Sequence, residues 1–175
     1  MSVGSEDGRS RIGLLIVGLS GNNGVAISRA LEHLSSVNED VDYGISSLKI
    51  FDPKHFPNAN QIVLAGWDVR GVNSVLLRPG LVTQGLWGAT DTSLGDETSG
   101  VGWESISTAA SHIAGQIREF KEALAVNQVI VMSMSSPPRR LNRPIAEWTE
   151  PEVLSATPNQ LPSAFAYALG AIQAK

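Results

Sequence analysis

The segment Ile12-Gly-Leu-Leu-Ile-Val-Gly-Leu-Ser-Gly-Asn-Asn-Gly24 constrains the fold more than any other part of the chain. An apolar run from Leu14 to Val17 ends in the cluster Gly18, Gly21 and Gly24, and an amphipathic pattern follows at once. Strand, glycine turn and helix is the local architecture that holds a pyrophosphate. Glycines let the backbone turn and approach a ligand closely, while the new helix offers unpaired N–H groups and a partial positive charge. The spacing is G-x-x-G-x-x-G. In the dinucleotide fingerprint G-x-G-x-x-G read from Gly18, Ser20 and Asn23 stand where the second and third glycines belong. The plain alternative is a tight strand-to-helix connection that holds no ligand. The fingerprint also wants an acidic residue about 20 residues on, to grip a ribose hydroxyl. Glu39, Asp40 and Asp42 lie near that distance, in a polar stretch rather than at a strand end.

The pattern around this turn predicts an α/β fold. Residues 12–17 read as a buried strand, and Ile27, Ala30, Leu31 and Leu34 predict a helix from about residue 22 to 34. A short strand is expected at 45–50, broken by Asp52-Pro53, and a second buried strand at 61–65 ends at Gly66-Trp67-Asp68. The stretch 70–102 is rich in glycine and yields no element. Ile106, Ala109, Ala110, Ile113, Ile117, Phe120 and Leu124 keep a helical period and lead into a third apolar strand at 128–132. Pro137-Pro138 and Arg139-Arg140 open a polar loop. A last helix is expected with Pro162 as its first residue and Phe165, Ala168, Leu169 and Ile172 on one face. Alternating strands and helices imply a Rossmann-like parallel sheet with flanking helices. Three or four strands are legible where the full dinucleotide fold uses six, so the sheet is expected to be incomplete. Residues 1–10 read as a polar, loose tail and residues 11–175 as a single domain.

Composition narrows the function classes. A chain of 175 residues with 42% hydrophobic and 17% charged content buries a core and is not disordered. Its net charge of −4 gives no electrostatic reason to bind nucleic acid or an anionic membrane. No apolar run approaches the ~20 residues that span a bilayer, and the tail lacks the apolar centre of a signal peptide. With no cysteine there are no disulfides, thiolate metal sites or cysteine nucleophiles, and a cytoplasmic location is expected. His33, His55 and His112 share no ligand spacing, and Asp91, Asp96, Glu97 and Glu104 match no metal-binding loop, so no metal site is expected. Ser133 and Ser135 have no paired base, and no catalytic residue is assigned. The cluster Arg139, Arg140 and Arg143 reads as a solvated loop, with a phosphate contact as the sharper alternative. Trp67, Trp87 and Trp103 are expected to pack, Trp67 also being placed to border a base beside Asp68.

Several segments together resemble one family. Ile12 to Gly24 is similar to the GLxxVGLGGNNG segment that opens the myo-inositol-1-phosphate synthases, also called inositol-3-phosphate synthases. Ile62-Val-Leu-Ala-Gly-Trp-Asp-Val69 resembles that family's VVFGGWDI, and Ile117-Arg-Glu-Phe-Lys-Glu122 with Gln128-Val-Ile-Val-Met132 resembles its following helix and strand. Ser135-Ser136-Pro137-Pro138 stands where bacterial-type members carry A-S-T-E-P-P, and Pro162-Ser163-Ala164 fits the start of the next helix. The matches fall in the family's order and cover nearly all of the chain outside the tail and residues 71–102.

The resemblance implies an NAD-dependent isomerase that converts glucose 6-phosphate to inositol 3-phosphate by transient oxidation, aldol closure and reduction by the same cofactor. On matching positions Gly18, Ser20, Gly21, Asn22, Asn23 and Gly24 would wrap the NAD diphosphate. Asp68 would contact the adenosine end, and Ser135 and Ser136 would line the nucleotide edge. Ser20 replaces a family glycine. Family members are much longer, and their N-G-S-P-Q-N region, G-D-D-x-K-S-G-Q-T motif and catalytic lysines have no counterpart here; Lys49, Lys54, Lys121 and Lys175 stand in other contexts. The chain therefore reads as the truncated NAD-binding part, inactive alone, acting on glucose 6-phosphate only with a complementing chain. The alternative is a stand-alone, degenerate NAD-binding or interaction module without isomerase activity. An incomplete sheet further implies self-association or a homo-oligomer.

Overall fold

The computed structural model describes residues 11–19, 21–36, 59–67, 104–134, 141, 143–157 and 160–175. The tail 1–10, the strand expected at 45–50 and the stretch 71–102 lie outside the described residues.

Three strands, β1 (Ile12–Val17), β2 (Ile62–Trp67) and β3 (Gln128–Ser133), form one parallel sheet in the order β2-β1-β3. Ile12 lies opposite Ile62 and Gln128, and Val17 opposite Trp67 and Ser133. The middle position explains the unbroken apolar run of β1. Successive side chains point to opposite faces, and Leu15 and Ile16 are both fully buried, each in a different cluster.

Those clusters are the two covered faces. From β1 the chain moves to β2 on one side and reaches β3 on the other, so crossovers of one hand place their helices on opposite faces. Helix α1 (Asn22–Ser36) covers one face, with Leu31 packed among Ile16, Leu19 and Leu64. Helices α2 (Ile106–Ala123) and α4 (Ala164–Gln173) cover the other, over Leu15, Val17, Ala65 and Trp67. The α/β architecture and the parallel sheet with flanking helices are as expected.

Helix α2 follows its sequence period closely. Ile106, Ala109, Ala110, Ile113, Ile117 and Phe120 are all buried, each large side chain worth about 1.5–3 kcal/mol of burial. Ser105 caps its start, its Oγ accepting the Thr108 N–H at 3.2 Å. At its other end Arg11 Nη1 donates to the Leu124 carbonyl at 2.8 Å, and the Asn127 amide donates to the Arg11 carbonyl at 2.9 Å. These bonds fix the end of α2 at the amino edge of the sheet, so its N-terminus lies at the carboxyl edge. A short helix α3 (Glu150–Ser155) is joined to that end, where the Ile106 amide donates to the Ala156 carbonyl at 2.8 Å.

The last helix differs from expectation. It begins at Ala164 rather than Pro162, whose carbonyl accepts the Phe165 N–H at 3.1 Å. Of the face expected, Phe165 and Leu169 pack half-buried against the core, whereas Ala168 is exposed and Ile172 is 61% exposed; the buried residues of the helix are Ala166, Tyr167 and Gly170. The reason is close packing on α2: a Cβ at Gly170 would lie 2.7 Å from Ile113 Cγ2, so Gly170 faces the partner helix. Among the described residues, helices cover one face of β3 only. Val129 and Val131 pack against the α2 and α4 cluster, while Ile130 and Met132 are exposed. Among the described residues no helix is long and apolar enough to cross a membrane.

Candidate functional site

The turn from β1 into α1 sits where the sheet changes direction. Connections leave β1 toward β2 on one side and arrive at β3 on the other, and in open α/β sheets ligands bind outside the carboxyl ends of the strands at such a point. The neighbouring strands end in register with it. The Met134 amide donates to the Val17 carbonyl at 2.9 Å, extending the β3 side, and Trp67 stands opposite Val17 on the β2 side.

The turn is held by main-chain bonds. Gly18 has a φ of 87°, a left-handed conformation that side chains rarely adopt. Its amide and that of Leu19 both donate to the Trp67 carbonyl, at 2.8 and 3.1 Å. The Gly21 amide turns back to the Gly18 carbonyl at 3.0 Å, and the Gly21 carbonyl accepts the first helical bond from Val25 at 2.9 Å. Leu19 is fully buried in the α1-side core, which anchors the turn from below. Gly24 lets α1 rest directly on it: a Cβ there would lie 2.2 Å from the Leu19 carbonyl oxygen. Here the helix packs closely on the turn that follows the strand, a clearance comparable to the helix–strand packing that the third fingerprint glycine permits.

Gly18, Gly21, Asn22, Asn23 and Gly24 are thus brought into one turn, but with different duties. Gly18 and Gly21 spend their amides within the fold and supply conformation, and Gly24 supplies clearance. Asn22 and Asn23 are exposed at the helix start, where first-turn N–H groups have no carbonyl one turn earlier in the helix to bond. No acidic side chain stands in the first turn of α1, so the partial positive charge there has no internal counter-charge from the helix. The arrangement suits an anionic oxygen. Ser20, Asp68, Ser135 and Ser136 lie outside the described residues; Trp67 and Met134, the last described residues before Asp68 and Ser135, flank the end of β1.

The Trp67 side chain does not border this site. Its ring is buried on the opposite face, 5.1 Å from the Tyr167 ring, and its Nε1–H donates to Gln116 Oε1 at 2.7 Å. Of the other sequence candidates, His33 and His112 are exposed on helices, whereas His55, Asp91, Asp96, Glu97, Trp87, Trp103, Arg139 and Arg140 lie outside the described residues. Among the described residues no group of three or more His, Cys, Asp or Glu could hold a metal.

Sequence reasoning missed α3 and the polar cluster around it. Glu152 accepts from the Thr149 amide and hydroxyl at 2.8 and 2.9 Å and from Arg143 Nη2 at 2.7 Å. The backbone bond to Thr149 leads, with Arg143 and the Thr149 hydroxyl, in lowering the carboxyl from 4.5 to about 2. The Arg143 guanidinium carbon lies 4.3 Å from the Trp148 ring centre. The signal was present as Thr149-Glu-Pro-Glu152, a capping pattern with proline in the first turn. Compared with models of known protein families, with curated proteins and with solved structures, this chain matches none.

Proposed function

We propose that the chain binds NAD, with the cofactor's diphosphate on the turn between β1 and α1, in a Rossmann-like manner. The observation that carries this reading is the combination at one turn of a left-handed Gly18, a Gly24 in contact with the Leu19 backbone, and an exposed helix start without acidic residues. In this reading the donors are the main-chain and side-chain amides of Asn22 and Asn23. Ser20 stands between them and Gly18, and Asp68, directly after Trp67, takes the adenosine ribose. Ser135 and Ser136, after β3, border the nucleotide. Bound NAD would supply the acceptor and donor of hydride; this chain's residues bind and orient it.

The wider assignment follows the resemblance of the sequence to inositol-3-phosphate synthases: an NAD-binding part that acts on glucose 6-phosphate only with a chain carrying the G-D-D-x-K-S-G-Q-T region and its lysines. Calorimetric titration with NAD, and with NADP as control, tests the first step. Saturable NAD heats that weaken in Asn22→Ala and Asn23→Ala support it; no heat at millimolar NAD rejects it. Isomerase activity on mixing with the complementing region separates the enzyme reading from that of a stand-alone NAD-binding module, which would bind NAD and stay inactive.

A further inference from the structure

A groove of about 410 Å³ opens beside α3, lined by Arg143, Trp148, Glu152, Ser155 and Gln160. It shares no residue with the glycine turn. Most of its acceptor atoms are already engaged. Both oxygens of Glu152 accept bonds, one from Arg143 Nη2 and the other from the Thr149 amide and hydroxyl. Gln160 Oε1 accepts from the Thr157 amide at 2.9 Å and from its hydroxyl at 3.1 Å. The Ser155 hydroxyl donates to the Pro151 carbonyl at 2.8 Å.

What remains is almost wholly donor capacity. An arginine carries five N–H donors, and among the described residues Arg143 bonds Glu152 through Nη2 alone. The Thr157 amide can only donate, so it fixes the Gln160 oxygen toward itself and leaves the Gln160 NH2 group without a bond among the described residues. The guanidinium is also held on two sides, bonded to Glu152 and stacked on Trp148. The Trp148 indole N–H is buried without an acceptor among the described residues, so packing and the stacked guanidinium hold that ring. A held fork with free N–H groups is prepared to meet a planar pair of oxygens at little ordering cost.

We propose that this groove binds a small organic monocarboxylate, its two oxygens on the free N–H groups of Arg143 and within reach of the Gln160 amide. The class follows from charge as well as shape. Glu152 is ionised and balances Arg143, so the groove as a whole is close to neutral and recognition rests on the fork geometry. A compact dianion gains less there than a planar monoanion does.

The test is a titration of the intact chain, labelled with nitrogen-15, with sodium acetate and then sodium benzoate, against sodium chloride at matched ionic strength and inorganic phosphate. The Arg143 Nε–H and Gln160 NH2 signals should shift and saturate at millimolar acetate or benzoate, and chloride should leave them in place. Arg143→Lys keeps the charge and removes the fork, and should weaken binding at least tenfold. Gln160→Met, which leaves the Arg143–Glu152 pair intact, should weaken it severalfold. Shifts that rise without saturating and match chloride overturn the proposal. So does phosphate saturating more tightly than acetate, or an unchanged affinity in Gln160→Met together with Arg143→Lys. Neither signal depends on NAD, so the outcome is independent of the nucleotide reading.

Discussion

The Gly18 amide lies 2.8 Å from the Trp67 carbonyl oxygen, which ties the end of the middle strand to the end of its neighbour just where the chain turns into α1. That bond requires the left-handed φ of 87° at Gly18. Gly18→Val therefore either accepts a strained backbone, at about 1–3 kcal/mol, or rotates away and breaks the bond to Trp67. Both routes lower stability. Thermal unfolding followed by circular dichroism should show a melting point several degrees lower, at roughly 2–4 °C per kcal/mol for a chain of this size. An unchanged melting point would mean that the turn relaxes freely and is not the rigid feature described above.

Two glycine-to-alanine changes should act with opposite sign. In α1, a Cβ at Gly24 would lie 2.2 Å from the Leu19 carbonyl, backbone that cannot swing aside, so Gly24→Ala must lift the helix off the turn. A cost of about 1–3 kcal/mol is expected for such overpacking, offset in part by better helix propensity. In α2, a Cβ at Gly115 would meet nothing within 4 Å, and Gly115→Ala should stabilise by about 0.5–1 kcal/mol through propensity alone. Urea unfolding of the two variants decides it, and like signs would contradict the placement of Gly24.

Legibility in the sequence varied with how local the deciding interaction is. The middle strand was readable because burial on both faces makes every residue from Leu14 to Val17 apolar. Helix α2 was readable because it rests on a sheet along one stripe. Helix α4 misled because apolar residues surround it, so its period selects no single face; the choice falls to Gly170 against Ile113 on another helix. Ser28, fully buried in α1, has no apolar signature at all. At the candidate site the residue types were visible, since Gly18 and Gly24 are needed for conformation and clearance. That Gly18 and Leu19 give their amides to Trp67 depends on the register of β2 against β1, a relation no local pattern contains.

The Thr149–Glu152 box should leave a mark on acid stability. Its bonds to the Thr149 backbone, to Arg143 and to the Thr149 hydroxyl favour the charged carboxylate, lowering its pKa in the folded protein from 4.5 to about 2. A group with a depressed folded pKa contributes stability in full above the unfolded value and loses it as pH falls through the folded one. The contribution of Glu152 is thus complete above about pH 4.5 and fades toward pH 2. Glu152→Gln should be less stable than the parent at neutral pH, with the two unfolding curves converging between those values. Curves that stay parallel through that window would show that the carboxylate is not held as described.

Asn23→Asp separates fold from ligand most directly. An aspartate in the first turn of α1 supplies the counter-charge that the helix start lacks, and such a charge is worth about 0.3–1 kcal/mol at an exposed site. The free protein should therefore melt slightly higher. The same charge would sit where the proposed diphosphate binds, repelling it and competing for the N–H groups of the turn, so affinity for NAD should fall at least tenfold. A purely structural turn predicts the first effect without the second. Calorimetry on parent and variant at low salt, paired with their melting points, reads both; a stabilised variant that binds NAD as tightly as the parent would remove the phosphate from this turn.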